Sequence, residues 1–214
     1  MTSEVVIVDY GVGNLFNVQR ALGSLGVHSS LSTDKKEILN AKRLLLPGVG
    51  AFEEGMRHLR EQGLVDILKQ FAASEKPMMG ICLGMQLLMS SSEENGQHAG
   101  LDLIPGQVLR FQEPLPKTPY KIPHIGWNSL RPGEGAFWDK SLLEGLEQEP
   151  FMYFVHSYFV KPQDPRLALA VTSYGRDVFC SVIRQKNIVG CQFHPERSGD
   201  QGLQILKNFI FLKG

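Results

Sequence analysis

The chain has 214 residues, 43% of them hydrophobic, enough for one sizeable core, so a single globular domain over 1–214 is expected. Its 22 Lys and Arg balance its 22 Asp and Glu without a long run of one sign, so bulk charge selects neither nucleic acid nor an anionic membrane. The longest apolar stretches, 78–89 and 151–160, are too short or too polar to span a bilayer, and no leader pattern is visible, so a cytoplasmic location is expected.

Residues 4–9, EVVIVD, form a β-branched run that predicts a strand. The Gly-rich YGVGN after it reads as a tight loop, and Leu15, Val18, Leu22 and Leu25 recur at helical spacing. GVHSSL (26–31) reads as a second strand, and AKRLLLPGVG (41–50) as a buried strand stopped by Pro47 and Gly48. A helical stretch runs from Glu53 to Phe71, broken near Gly63. Residues 77–81 predict another buried strand leading into Cys82, and LGMQLLM continues at helical spacing. This alternation predicts a mostly parallel α/β sheet with helices on both faces and functional loops at the carboxyl ends of its strands.

Beyond Gly100 the pattern changes to strands at 107–111, 151–156, 167–173, 178–183 and 188–192, read as a mixed or antiparallel continuation of the same sheet. A last helix from Asp200 to Leu212 carries Leu203, Leu206, Phe209 and Ile210 on one face. QEPLPKTPYK (112–121) is the most loop-like stretch, and no linker divides the chain.

Three cysteines, Cys82, Cys180 and Cys191, are an odd number without CxxC spacing, which argues against a disulfide framework and against a zinc cage. Cys82 differs from the others. A strand followed by Gly80-Ile81-Cys82-Leu83-Gly84 and a helix has the form of a nucleophile elbow with cysteine in place of serine. The turn is so sharp that side chains two positions to either side would collide with backbone, and the sulfur at a helix start is favoured as thiolate. In CQFHPERSG (191–199), Pro195 forces His194 into extended conformation, so His194 and Glu196 are expected to share a face. Cys82, His194 and Glu196 supply a nucleophile, its base and the group that orients that base. The oxyanion donors expected are the Leu83 N–H and a peptide N–H of PGVG, where Gly48 and Gly50 let backbone approach a substrate. Cys180 and Cys191 lie on apolar strands and read as core.

PGVGAF, GICLGMQLL, HIGWN, YFVHSYFV and QFHPERSG, in that order, resemble the class I glutamine amidotransferases, and more closely the glutaminase subunits of imidazole glycerol phosphate synthases. The resemblance runs from DYGVGN to the closing helix. It implies a flavodoxin-like fold, a triad on Cys82, His194 and Glu196, and hydrolysis of glutamine to glutamate and ammonia without metal or cofactor. By resemblance, glutamine is held near Gly50, Gln86, Glu94, Ser157 and Tyr158. From the residues alone, Gln86 lies one helical turn past Cys82, whereas Glu94 reads equally as a solvated charge and Tyr158 equally as core.

Ammonia released into water is protonated and lost as a nucleophile, and the chain is filled by one glutaminase fold, so a partner is expected. The resemblance makes it a (β/α)8 cyclase in a heterodimer, faced by Asn14 and Trp127, for which loop capping and burial are the plain alternatives. Arg197 stands where some members carry lysine, near the ammonia gate. Paralogues that feed sugar-amidating synthases would show the same triad, and the 132–150 segment leaves that alternative open. A nucleotide-binding module, suggested by GVGNLF, fails because Phe16 takes the third glycine position.

Overall fold

The computed structural model of the chain describes residues 4–117 and 119–212, so Thr118 of the 112–121 loop lies outside it. The first half alternates as β1 (Val5–Val8), α1 (Leu15–Ser24), β2 (Ser29–Ser32), α2 (Lys35–Asn40), β3 (Leu44–Gly48), α3 (Phe52–Glu61), α4 (Val65–Ala73), β4 (Met78–Cys82) and α5 (Leu83–Leu87). Strands then dominate: β5 (Met89–Ser92), β6 (His98–Ala99), β7 (Ile104–Arg110), β8 (His124–Ser129), β9 (Arg131–Pro132), β10 (Phe151–His156), β11 (Tyr158–Pro162), β12 (Ala168–Tyr174), β13 (Asp177–Gln185) and β14 (Ile188–Cys191). Helix α6 (Gly199–Phe211) closes the described chain.

The main sheet runs in the order β2-β1-β3-β4-β14-β13-β11-β7-β5-β6. From β2 to β14 every neighbouring pair is parallel, which is the doubly wound order with β14 as last parallel strand. Its neighbour β13 is antiparallel to β14 and also carries β11 and β12. The expected mixed or antiparallel continuation of the sheet is present, with one strand placed elsewhere. β10 leaves this sheet and pairs antiparallel with β8 in a separate two-stranded sheet. The apolar run 151–160 therefore contains two strands belonging to different sheets, parted at Ser157.

Alternation along the parallel strands divides the core into two layers. Val6, Val8, Leu44 and Leu46 pack with Phe52, Met56, Leu59, Leu68 and Phe71 under α3 and α4. Val5, Ile7, Leu45, Met79 and Ile81 pack with Val18, Leu22, Ile205 and Phe209 under α1 and α6. Each such fully buried side chain contributes roughly 1.5–3 kcal/mol. On α6, Leu206, Phe209 and Ile210 are buried as expected, but Leu203 is only partly so and Ile205 takes its place.

Capping sets where the helices begin and end. Asn14 Oδ1 accepts from Asn17 N at 3.3 Å at the start of α1, and Asp34 does the same for α2 through Glu37 N at 2.8 Å. The expected 53–71 helix divides where Gly63 adopts φ +62. Gly63 N donates to Arg60 O and Leu64 N to Leu59 O, both at 2.9 Å, a paired C-terminal lock that needs a left-handed residue at Gly63. Helix α5 is shorter than its apolar pattern predicts. Met89–Ser92 forms β5 instead, drawn into parallel pairing with β7, so propensity yields to the sheet.

Candidate active site

Cys82 ends β4 with φ +53 and ψ −112, a conformation that costs a non-glycine residue about 1–3 kcal/mol. Its neighbours show why the strand can turn there. A Cβ on Gly84 would fall 1.7 Å from the Leu46 carbonyl oxygen, and one on Gly80 2.6 Å from Met85 N. The glycines on either side of the sulfur are thus required by backbone packed against backbone, as the elbow reading expects.

The two strands flanking β4 deliver the remaining groups. Gly48 is the Cα partner of Cys82 in β3, and Cys191 that of Ile81 in β14. All three strands are parallel, so the chain leaving β3 and the chain leaving β14 emerge beside the thiol at one end of the sheet. The chain after β3 carries Val49 and Gly50, the latter at φ +98 with open space around it. Gly48 itself serves a different purpose from the one expected. It is buried, and a Cβ there would lie 2.3 Å from the Tyr10 hydroxyl, so it makes room for packing rather than for substrate.

The chain after β14 carries Gln192 and His194. His194 is extended at φ −99, ψ 98, and its backbone N donates to Tyr153 O at 3.0 Å. Pro195–Arg197 then forms a 3-10 turn, so the carboxylate returns to the imidazole by a turn rather than by strand alternation. His194 Nδ1 is 2.8 Å from Glu196 Oε1, and both side chains are almost wholly buried. Burial disfavours the imidazolium, but hydrogen bonding and charge from Cys82 and Glu196 outweigh it and raise the His194 pKa to about 10. With Nδ1 committed to Glu196, the buried Nε2 is left for the Cys82 sulfur and for a substrate.

A cavity of about 270 Å³ opens beside the sulfur. Its lining gathers Cys82 and Leu83 with Gly50, Gln86, Glu94, Ser157 and Tyr158, all named from sequence, and adds Val49, Pro123, Val155 and His156. Glu94 Oε2 accepts from Phe52 N at 2.7 Å, so it is tied to the start of α3 rather than freely solvated. Gln86 is buried, and its Nε2 donates to Tyr158 O at 2.9 Å and to Gln192 Oε1 at 3.1 Å, which leaves its oxygen to offer to the cavity. A larger cavity of about 680 Å³, between Arg110, Lys161 and Asp177, includes neither Cys82 nor His194.

Sequence reasoning did not single out Gln192, although an amide in an otherwise apolar strand end was a visible signal. It is fully buried and donates from Nε2 to Cys82 Sγ at 3.7 Å. His124 and His156 were seen only within motifs. Burial lowers their pKa values to about 4 and about 3, so both rings are neutral at pH 7. Cys180 and Cys191 are buried in the core, and burial drives both thiols well above their ordinary pKa.

Trp127 is 55% exposed, which excludes burial as its role. It meets Tyr153 edge-on at 6.1 Å, and the Arg197 guanidinium lies over that same ring at 4.2 Å. Asn14 is exposed while capping α1. Among the described residues no cluster of ligating side chains could hold a metal ion, and no helix is long and apolar enough to cross a membrane.

The family model for class-I glutamine amidotransferases matches residues 6–212. An imidazole glycerol phosphate synthase subunit HisH 1 of Legionella pneumophila is 47% identical over 210 residues, covering 97% of this chain and 99% of that one. Subunit HisH of Methanosarcina acetivorans is 48% identical over 207 residues, covering 96% and 97%. Among solved structures, a glutamine amidotransferase crystal structure superposes with a TM-score of 0.73 at 18% identity, covering 98% of each chain.

Proposed function

The chain belongs to the class-I glutamine amidotransferase family, and from that premise we propose that it is the glutaminase subunit of an imidazole glycerol phosphate synthase in histidine biosynthesis. Relatives 47% and 48% identical over nearly the whole chain carry that name, which favours this branch over the sugar-amidating one. The observation that carries the chemistry is the meeting of a strained thiol, beside a small cavity, with a carboxylate-oriented imidazole far from it in sequence.

In this reading the Cys82 sulfur, its proton held on His194, attacks the side-chain amide carbon of glutamine. The oxyanion that forms is met by the Leu83 N–H and a peptide N–H of the 48–50 loop. As the C–N bond breaks, the His194 proton passes to nitrogen and ammonia leaves. Water then attacks the thioester, gives a proton to His194, and releases glutamate with the sulfur restored. Glu196 fixes the His194 tautomer throughout. The Glu94 carboxylate and the Gln86 oxygen suit the substrate ammonium, while Gly50, Ser157 and Tyr158 complete the cradle.

Such a subunit works in a heterodimer. Its partner here is a (β/α)8 cyclase that consumes the ammonia, docked on the face bearing Asn14 and Trp127, with Arg197 beside the exit. The whole 1–214 chain acts as one domain in the cytoplasm. The test is glutamate release with the histidine-pathway cyclase and its phosphoribulosyl ligand, beside a Cys82→Ala control. Release by the control equal to that of the unaltered chain rejects the assignment, as does stimulation only by a sugar-amidating synthase.

A further inference from the structure

Beside the triad lies a string of polar side chains, most of them buried, and of these the reaction above gives a task only to Gln86. Gln192 donates from Nε2 to Cys82 Sγ at 3.7 Å, and its Oε1 accepts from Gln86 Nε2 at 3.1 Å. The same Gln86 nitrogen is 2.9 Å from Tyr158 O, and that carbonyl is also 2.8 Å from His156 Nδ1. His156 Nε2 lies 3.1 Å from His124 Nδ1, and His124 Nε2 lies 3.4 Å from Asn128 Nδ2.

The Tyr158 carbonyl can only accept, and this settles every orientation in the string. Gln86 must turn its amide nitrogen toward it, and the second N–H of that nitrogen then points at Gln192. Gln192 must therefore answer with oxygen, which leaves its N–H on the sulfur. In the other direction His156 is protonated on Nδ1, so Nε2 accepts from His124 Nδ1–H, and His124 Nε2 accepts from Asn128. Reversing either amide would set two donors or two acceptors against each other in a buried place, at a cost of about 1–3 kcal/mol. The scheme requires both histidines neutral, which burial ensures at pH 7.

We propose that Gln192 is a positioning residue for the nucleophile: its N–H, aimed by the string anchored on the Tyr158 carbonyl, holds the Cys82 sulfur toward the cavity and stabilises its negative charge. A hydrogen bond to an ionised acceptor is about twice as strong as one to a neutral acceptor, so this contact favours the attacking form over the resting thiol. The sulfur also interacts electrostatically with His194, Tyr10 and Cys191, with Glu196 behind His194. These groups are untouched by a change at Gln192. The contact to sulfur stands by itself, and only its catalytic consequence rests on the glutaminase reading.

The test is the pH dependence of Cys82 alkylation by iodoacetamide, followed on the peptide that carries Cys82 so that Cys180 and Cys191 do not contribute. Gln192→Leu removes the donor at similar volume and is expected to raise the midpoint by about one pH unit. Gln192→Glu faces the sulfur with a carboxylate and is expected to raise it further. With glutamine, Gln192→Leu is expected to lower kcat about tenfold or more with KM little changed. Gln192→Met carries the same measurement if the leucine variant does not fold, and an unmoved midpoint in any folded variant of the three overturns the proposal. Glutamate release by the unaltered chain with its cyclase is measured alongside. Failure there removes the glutaminase reading and leaves the alkylation result, which needs no glutamine, to decide the role of Gln192.

Discussion

Gly84 sits so close to Leu46 that a Cβ added to it would lie 1.7 Å from the Leu46 carbonyl oxygen. Strand β3 and helix α5 therefore touch backbone to backbone, and this contact fixes the exit angle of the chain after Cys82. Neither side can yield by a rotamer change.

Gly84→Ala is accordingly expected to cost about 2 kcal/mol or more, read from urea denaturation midpoints. Gly23→Ala is the matched control, because nothing lies within 4 Å of its added Cβ and the residue is in helix α1. That change is expected to be neutral or to stabilise by about 0.5–1 kcal/mol. Equal losses in both variants would contradict the account of the elbow.

Strain at Cys82 has its own signature. Replacing either Cys82 or Cys191 by glycine removes a buried thiol of the same size, but only Cys82 has a positive φ. Cys82→Gly is expected to destabilise less than Cys191→Gly by about 1 kcal/mol, since relief of backbone strain offsets the lost packing. It should also abolish glutamate release. The comparison is made by thermal and urea unfolding of both variants.

Stability should fall away from neutrality in both directions, for opposite reasons. His194 has a folded pKa raised to about 10, so its contribution is fully present below its unfolded value near 6.5 and is lost as pH rises through about 10. His124 and His156, lowered to about 4 and about 3, act oppositely: below pH 6.5 the unfolded chain binds protons that the folded chain refuses, so stability is lost on acidification. Urea midpoints between pH 4 and pH 10 should show both limbs. Glu196→Gln is expected to flatten the alkaline limb and spare the acid one.

Glu94 separates substrate charge from helix capping. Glu94→Gln keeps an acceptor for Phe52 N but removes the charge that lines the cavity. The expected outcome is a KM about tenfold higher with kcat nearly unchanged, and a stability loss under about 1 kcal/mol. Glu94→Ala should add roughly 1 kcal/mol of lost capping to the same KM effect. A kcat loss with unchanged KM would place Glu94 in the chemistry instead.

Elements whose burial repeats regularly were legible in the sequence. β1, β3, β4, β12, β13 and β14 stand out as apolar or β-branched runs, and α1 and α6 as faces recurring at helical period. α2 escaped notice because its six residues, KKEILN, bury only Ile38. β8 escaped because HIGWNS alternates weakly and leaves Ile125 and Trp127 exposed. β5 escaped because three serines do not look like a strand until β7 pairs with them. β11 was hidden by continuity with β10, since a one-residue break at Ser157 changes sheet without changing composition.

Of the candidate site, the sequence by itself determined the elbow and the coupling of His194 to Glu196, because both are local: glycine spacing and a proline act within a few residues. It also specified, through matching motifs, which residues should line the cavity. Only the tertiary structure decided that Gly48 lies beside Cys82 and Cys191 beside Ile81, which brings together segments remote along the chain. It alone revealed Gln192 on the sulfur and the neutral histidine pair behind Tyr158. The physical reason is that a buried polar group is defined by its partners, and those partners are chosen by strand register across the sheet rather than by neighbours in sequence.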